Sequence, residues 1–373
     1  MKNNGIRPRR TKGKVFVGLS GGVDSSVSAA LLKKQGYDVV GVFIKVWQPE
    51  FVKCDWREER LDAMRVCAKL DIPFMDLDLE EIYKKEVFDY MIKEYKIGRT
   101  PNPDVMCNKS IKFGGFLKFA LDNGADFVAT GHYARSEERA SSKFIKLKVK
   151  SLLKGVDENK DQSYFLWTLT QERLKHILFP IGELEKPQVR KLAKKFDLLT
   201  AEKKDSQGLC FVGMIEMKDF LKKFLPEKKG NVLNEEGNVI GYHDGAYYFT
   251  YGQRHGFTII EKTPDDKPYF VVEKNIEKNT ITVYKKIKEN INYDKKEIVI
   301  NNINWILGEI PDLNKKYQGR IRYRQPLQNC KIYNTQSTEE FKIVFDEPQK
   351  SVSAGQSLVL YDGDICIGGG VII

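Results

Sequence analysis

The feature that most constrains this chain lies near its start. An apolar run over 15–19 leads without a spacer into Ser20-Gly21-Gly22-Val23-Asp24-Ser25-Ser26. A short run with no polar residue suits a strand buried on both faces. Val27, Ala30 and Leu31 then recur at helical spacing, and Gly36 is placed to stop that helix. The pattern repeats as a strand over 39–46, a helix over 58–70 with Leu61, Met64 and Ala68 on one face, a strand over 74–79 and a fourth over 126–130. Repeated β-α units predict an α/β fold, a parallel sheet with helices on both faces.

Beyond residue 152 the texture changes. The stretch 152–225 patterns as mainly helical, most clearly over 186–196, where Pro187 sits near the start and Val189, Leu192, Ala193 and Phe196 form the apolar stripe. After Gly230, β-rich runs over 247–250, 270–272, 281–284, 297–300, 319–323 and 357–360 are separated by Gly, Asn and Asp turns. The expected division is a catalytic α/β domain over 1–152, a mainly helical region over 153–230, a small β domain over 231–290 and an antiparallel β-barrel over 291–373.

The glycine loop carries chemistry. Glycines allow a tight turn that exposes backbone N–H groups, and the following helix places the positive end of its dipole beneath them. Such a cradle holds a pyrophosphate. Asp24 repels phosphate, so a Mg²⁺ bridge or a structural cap is its expected role. No GxxxxGK[ST] loop occurs in the chain, so phosphoryl transfer of the kinase kind is not indicated. The loop alone leaves the acceptor open: a small molecule, a nucleic acid, or none in a vestigial pocket.

Lys and Arg number 62 against 51 Asp and Glu, a formal net charge of +11. This admits a polyanionic partner without requiring one. No apolar run is long enough to suggest a membrane span, and residues 1–14 lack the apolar core of a signal peptide. With a mean hydropathy of −0.44, a cytoplasmic protein is expected. The six cysteines contain no CxxC pair, which excludes the tightly spaced zinc and iron–sulfur patterns, and no protein-held metal is expected.

Two cysteines stand in unusual settings. Cys107 follows Thr100-Pro101-Asn102-Pro103-Asp104 and is expected to open a helix over 110–121, where the helix N-terminus, Lys109 and Lys112 would lower its thiol pKa. Asp104, three residues earlier, is placed to handle a proton or orient a substrate. Cys210 lies in Lys203-Lys204-Asp205-Ser206-Gln207-Gly208-Leu209-Cys210, again a polar glycine-containing loop preceded by lysines. Cys67, on the apolar side of its helix, reads as a buried structural thiol.

Taken together, SGGVDSS, TPNPDVMCN, Gly131-His132-Tyr133, Lys160-Asp161-Gln162-Ser163-Tyr164-Phe165-Leu166, KDSQGLCFVG, Tyr251-Gly252-Gln253-Arg254, Gly355-Gln356 and Gly368-Gly369-Gly370 resemble the bacterial-type tRNA-specific 2-thiouridylases of the PP-loop ATP pyrophosphatases, in order over nearly the whole chain. The resemblance implies ATP, with Mg²⁺ as its counterion, bound by Gly18, Leu19, Ser20, Gly21, Gly22, Val23, Asp24, Ser25, Ile44 and Gly131. Ile44 stands where the family commonly has methionine, which preserves an apolar wall for adenine. It also implies that Asn102, Pro103 and Asp104 meet a flipped wobble uridine of the tRNAs for Lys, Glu and Gln. Further tRNA contacts are implied for His132, Lys160, Asp161, Gln162, Arg322, Tyr323 and Gln356. Cys210 would carry a persulfide received from a sulfur donor protein, and Cys107 would be the partner nucleophile. Neither a membrane nor DNA is an implied partner.

Overall fold

The computed structural model describes residues 11–52, 56–140, 148–204, 216–261, 267–285 and 294–373. Its first sheet has five parallel strands: β1 (Lys14–Gly18), β2 (Asp38–Lys45), β3 (Phe74–Asp78), β4 (Phe127–Ala129) and a short piece, Ile177–Leu178. Their spatial order, β3-β2-β1-β4 and then the short piece, puts β1 at the centre. Alternation along β1 sends Val15 and Val17 into one apolar cluster with α1 (Val23–Lys34) and α2 (Trp56–Leu70). Phe16 turns to the opposite cluster, with Phe113, Phe116 and Leu117. This is the two-faced burial that an unbroken apolar strand requires.

The Cys107 helix starts earlier than the sequence suggests. Pro103–Cys107 is already helical and continues through a π-helical stretch, Asn108–Gly115, into Phe116–Asp122. Proline is tolerated at a first helical position, where its missing N–H costs nothing, and Asn102 caps the helix by accepting from Val105 N at 3.3 Å. Cys107 therefore sits in the second turn and not at the N-terminus, so the helix-start argument for its reactivity does not hold.

The stretch 152–225 is less helical than its patterning. A hairpin of Ala134–Ala140 and Lys148–Lys154 precedes it and ends inside it, because Leu152 and Leu153 are buried as strand residues. The helix Lys186–Lys195 is present, closed by a capping box of Glu185 and Gln188. A separate five-stranded sheet spans 230–284. Within it 246–248 forms a 3-10 turn where a strand was expected, burying Ala246 and Tyr248 on one side.

The last six strands, Lys295–Trp305, Tyr317–Arg320, Gln328–Asn334, Phe341–Gln349, Ser357–Asp362 and Ile365–Ile372, close an antiparallel barrel when the first pairs with the last. The hairpin extends this barrel's sheet through Ile365 opposite Leu153. Sheet pairing thus binds the barrel to the segment that follows β4. No helix among the described residues is long and apolar enough to cross a membrane.

Candidate active site

The glycine loop leaves β1 and turns into α1 at Gly22, its N-cap. Gly21 has φ +68°, and a Cβ there would lie 2.5 Å from the Glu59 carbonyl oxygen. Gly131, just past β4, presses on the loop from the other side: a Cβ would come within 2.7 Å of Ser25 N and 2.9 Å of Asp24 Cβ. Both positions therefore require glycine. Ser25 Oγ lies 3.3 Å from both Ser20 N and Ser20 Oγ, and Ser26 Oγ donates to Gly22 O at 2.7 Å, which pins the turn. The first amides of α1 have no acceptor within the helix, so the loop presents N–H groups and a positive dipole end to whatever lies above it. That geometry fits a nucleotide's phosphates. Ile44, half-buried at the end of β2, is 3.6 Å from where a Gly18 Cβ would be.

Asp24 does not cap the helix. Its Oδ1 accepts from the Tyr133 hydroxyl at 2.8 Å, and its two oxygens accept from Lys186 Nζ at 2.7 and 2.8 Å. A carboxylate so engaged is not an open metal ligand, and no group of three or more His, Cys, Asp or Glu among the described residues is arranged to hold a metal. These residues do not make a resident Mg²⁺ site. Nothing in the sequence marks Lys186 as a member of this loop, 162 residues away; it reads there only as a helix start.

Beside the loop runs the Cys107 helix, whose Phe116 ring is 3.4 Å from a Cβ built on Gly18. Cys107 is buried. Asp104, one turn before it, is exposed, and desolvation by the neighbouring protein pushes its carboxyl above the usual carboxylate range, with Lys112 pulling it part of the way back. Asn108 donates to the Phe165 carbonyl at 3.4 Å, and its buried Oδ1 has no partner among the described residues. Cys210 lies outside the described residues. The chain leading to it is anchored beside α2, where Lys203 Nζ meets Asp62 at 2.7 Å, and against the helix Lys186–Lys195, where Arg190 donates to the Ala201 and Lys203 carbonyls.

The segment 99–102 is held from two sides. From the barrel, Gln356 Nε2 donates to the Thr100 and Pro101 carbonyls at 2.9 and 3.0 Å, and Thr100 N donates to Ala354 O at 2.8 Å. From the central sheet region, Thr250 Oγ1 lies 3.2 Å from Thr100 Oγ1. Gly355, at φ +92°, permits the approach, since a Cβ there would be 2.9 Å from the Thr100 oxygen. Nearby, the buried Tyr164 hydroxyl donates to the Ser357 carbonyl at 2.9 Å. Pro103 is buried.

Several residues assigned to RNA by resemblance turn inward. His132 is 5% exposed; its Nδ1 is 2.7 Å from Thr130 Oγ1, and desolvation together with Lys112 holds its pKa well below the ordinary histidine value. It is a neutral core imidazole packed against Phe113 and Phe179. Asp161 is 3% exposed and bound to Arg320, Ser163 and the Gly155 amide. Both side chains are buried in this conformation, His132 between Phe113 and Phe179 and Asp161 under the barrel's Arg320. Gln162 Oε1 is taken by Tyr133 N at 3.0 Å. Lys160 is half-buried. Arg322 is exposed and Tyr323 half-buried, its ring centroid 4.6 Å from that of Phe165. With Arg324, Gln328 and Lys350 they line an open crevice of about 500 Å³.

A central parallel β1 ending in a Ser-Gly-Gly-Val-Asp-Ser turn under a helix start defines a nucleotide-binding protein of the PP-loop class. Residues 13–214 match the tRNA methyl transferase HUP domain, 218–285 the tRNA methyl transferase PRC-barrel domain and 295–372 the aminomethyltransferase beta-barrel domain. The chain belongs to the tRNA-specific 2-thiouridylase family. The MnmA protein of Hydrogenovibrio crunogenus is 45% identical over 96% of this chain and 93% of its own. That of Francisella philomiragia is 44% identical over 96% and 99%. Among solved structures, a 4-thiouridine synthetase–RNA complex with bound ATP overlays 57% of this chain and 50% of its own at 17% identity and a TM-score of 0.34, too remote to bear on function.

Proposed function

We propose that this chain is a tRNA-uridine 2-sulfurtransferase that activates its base with ATP. The observation that carries the reading is the packing of the Cys107 helix against the PP-loop strand, which sets a nucleotide cradle beside the helix that carries the Cys107 thiol and the Asp104 carboxyl. Uracil O2 attacks the α-phosphate of ATP and pyrophosphate leaves; Mg²⁺ accompanies the ATP as its counterion. The terminal sulfur of a Cys210 persulfide then attacks C2, and AMP departs with the original oxygen. Cys107 attacks the Cys210 sulfur, releasing 2-thiouridine as the thiolate and forming a Cys107–Cys210 disulfide that an external reductant reopens.

Asn102, Pro103 and Asp104 receive the extruded base. Stacking and edge contacts replace what the base loses in the anticodon loop. The expected acceptors are the wobble uridines of the Lys, Glu and Gln tRNAs, and the sulfur comes from a persulfide-carrying protein. Arg322 and Tyr323 offer a charge and an aromatic face to the RNA.

The experiment is nucleoside mass analysis of tRNA after incubation with ATP and a persulfide donor. 2-Thiouridine should form, with AMP and pyrophosphate in equal amounts. ADP as the main product, or unmodified tRNA, would refute the reading.

A further inference from the structure

Lys112 is a half-buried cation with no anion against it. It lies on the Cys107 helix, roughly two turns beyond Asp104, inside the π-helical stretch Asn108–Gly115. Among the described residues it has neither a hydrogen bond nor an ion pair, whereas Lys118 on the same helix binds Asp122. A charge partly removed from water is costly unless a counterion accompanies it. Two groups that feel this charge mark its position. Lys112 is the one charged side chain among the described residues that acts on the Asp104 carboxyl, and it acts on His132 as well. His132 directly follows Gly131, the glycine that abuts the phosphate loop. Its ring lies 5.7 Å from that of Phe113, the residue after Lys112. One turn on, Phe116 meets Gly18 at the end of β1. The ammonium therefore lies between the carboxyl expected at the base and the loop expected at the phosphates.

We propose that Lys112 is a catalytic residue for adenylation, its ammonium binding the α-phosphate where uracil O2 attacks. The β- and γ-phosphates belong over the glycine loop and the α1 amides. The α-phosphate must then turn toward the Cys107 helix to meet the base. In that step the bond from O2 to phosphorus forms, the bond to pyrophosphate breaks with its electron pair, and the uracil N3 proton passes to Asp104. Charge builds on the non-bridging α-oxygens, where a cation already in place is worth most in the transition state. The same ammonium then steadies the phosphate as the bond from C2 to oxygen breaks and AMP departs. The inference rests on the ATP-dependent reading above.

Lys112→Met keeps most of the side chain's bulk and removes its charge. In a single turnover with ATP and tRNA, pyrophosphate release should slow about 100-fold, the size of one lost transition-state contact. Melting temperature and tRNA affinity should stay near wild type. The acid limb of log rate against pH should also move to higher pH, because the Asp104 carboxyl loses the charge that holds it down. Lys112→Arg, which keeps the charge, should leave that limb in place and recover part of the rate. A displaced limb in Lys112→Arg would overturn the proposal even if Lys112→Met folds poorly. Unchanged pyrophosphate release with weaker tRNA affinity and a shallower salt dependence would make Lys112 an RNA-backbone contact and overturn it too. So would a rate loss that tracks a lowered melting temperature with the acid limb unmoved. A wild-type protein that released no pyrophosphate with tRNA would overturn the ATP reading itself.

Discussion

Gln356 Nε2 lies 2.9 Å from the Thr100 carbonyl oxygen, although 256 residues separate them. The barrel thereby holds the segment that caps the Cys107 helix. Gln356→Ala removes two hydrogen bonds, each worth about 1 kcal/mol. Sulfur transfer to tRNA should slow about tenfold in kcat, with the KM for ATP unchanged. A raised KM for tRNA with unchanged kcat would instead make Gln356 a simple RNA contact.

The Asp161–Arg320 pair joins the hairpin region to the barrel with side chains 4% and 7% exposed. Arg320 also donates to the Tyr361 hydroxyl at 2.7 Å. Burial pulls its pKa down, but Tyr361 and Asp161 more than offset this, so the guanidinium stays charged. Arg320→Ala strands a buried carboxylate and should cost about 3–5 kcal/mol of stability by urea unfolding. Adding Asp161→Asn should recover part of that loss.

Acid should weaken the fold before carboxylates titrate. Desolvation holds His132 well below the ordinary histidine value and His243 down to about 4. The folded protein therefore refuses protons that the unfolded chain accepts below pH ~6.5. Stability is full above that pH and should fall from about 6.5 toward 4, by up to ~1.4 kcal/mol per pH unit for each histidine. His132→Phe should flatten part of this slope, read from urea midpoints between pH 7.5 and 5.

Burial raises the Cys67, Cys330 and Cys366 thiols to about 12. Iodoacetamide should leave all three unlabelled in the native protein by peptide mass. Cys210→Ser should still adenylate tRNA but accept no sulfur. Cys107→Ser should acquire the persulfide and stall. Full 2-thiouridine formation by both variants would refute the two-cysteine mechanism.

The barrel crevice should govern the salt dependence of tRNA binding. Arg322→Ala, Arg324→Ala and Lys350→Ala should each weaken tRNA uniformly and reduce the slope of log K against log salt by roughly 0.7–0.9. Point variants are the right probe. Deleting everything after residue 233 would also remove the strand paired with Lys148–Lys154 and orphan Asp161.

Local chemistry made much of this protein readable from its sequence. The β1–loop–α1 unit was legible because strand burial, glycine turns and helix periodicity are set by residues a few positions apart, and Gly21 and Gly131 occupy the tight places their types suggest. Cys67 is a core thiol as read, but the apolar face expected of its helix is not the buried one. Leu61, Met64 and Ala68 are exposed, and Ala63, Val66 and Cys67 pack inward against the sheet. What the tertiary structure decided were relationships across long separations. It paired Asp24 with Lys186, turned His132 and Asp161 into the core, and set Gln356 against Thr100. It also moved Cys107 into a second helical turn, because a cap by Asn102 made Pro103 a helix start. A side chain's partner is fixed by which surfaces pack, and no local pattern around Lys186 or His132 encodes the distant segment that closes over it.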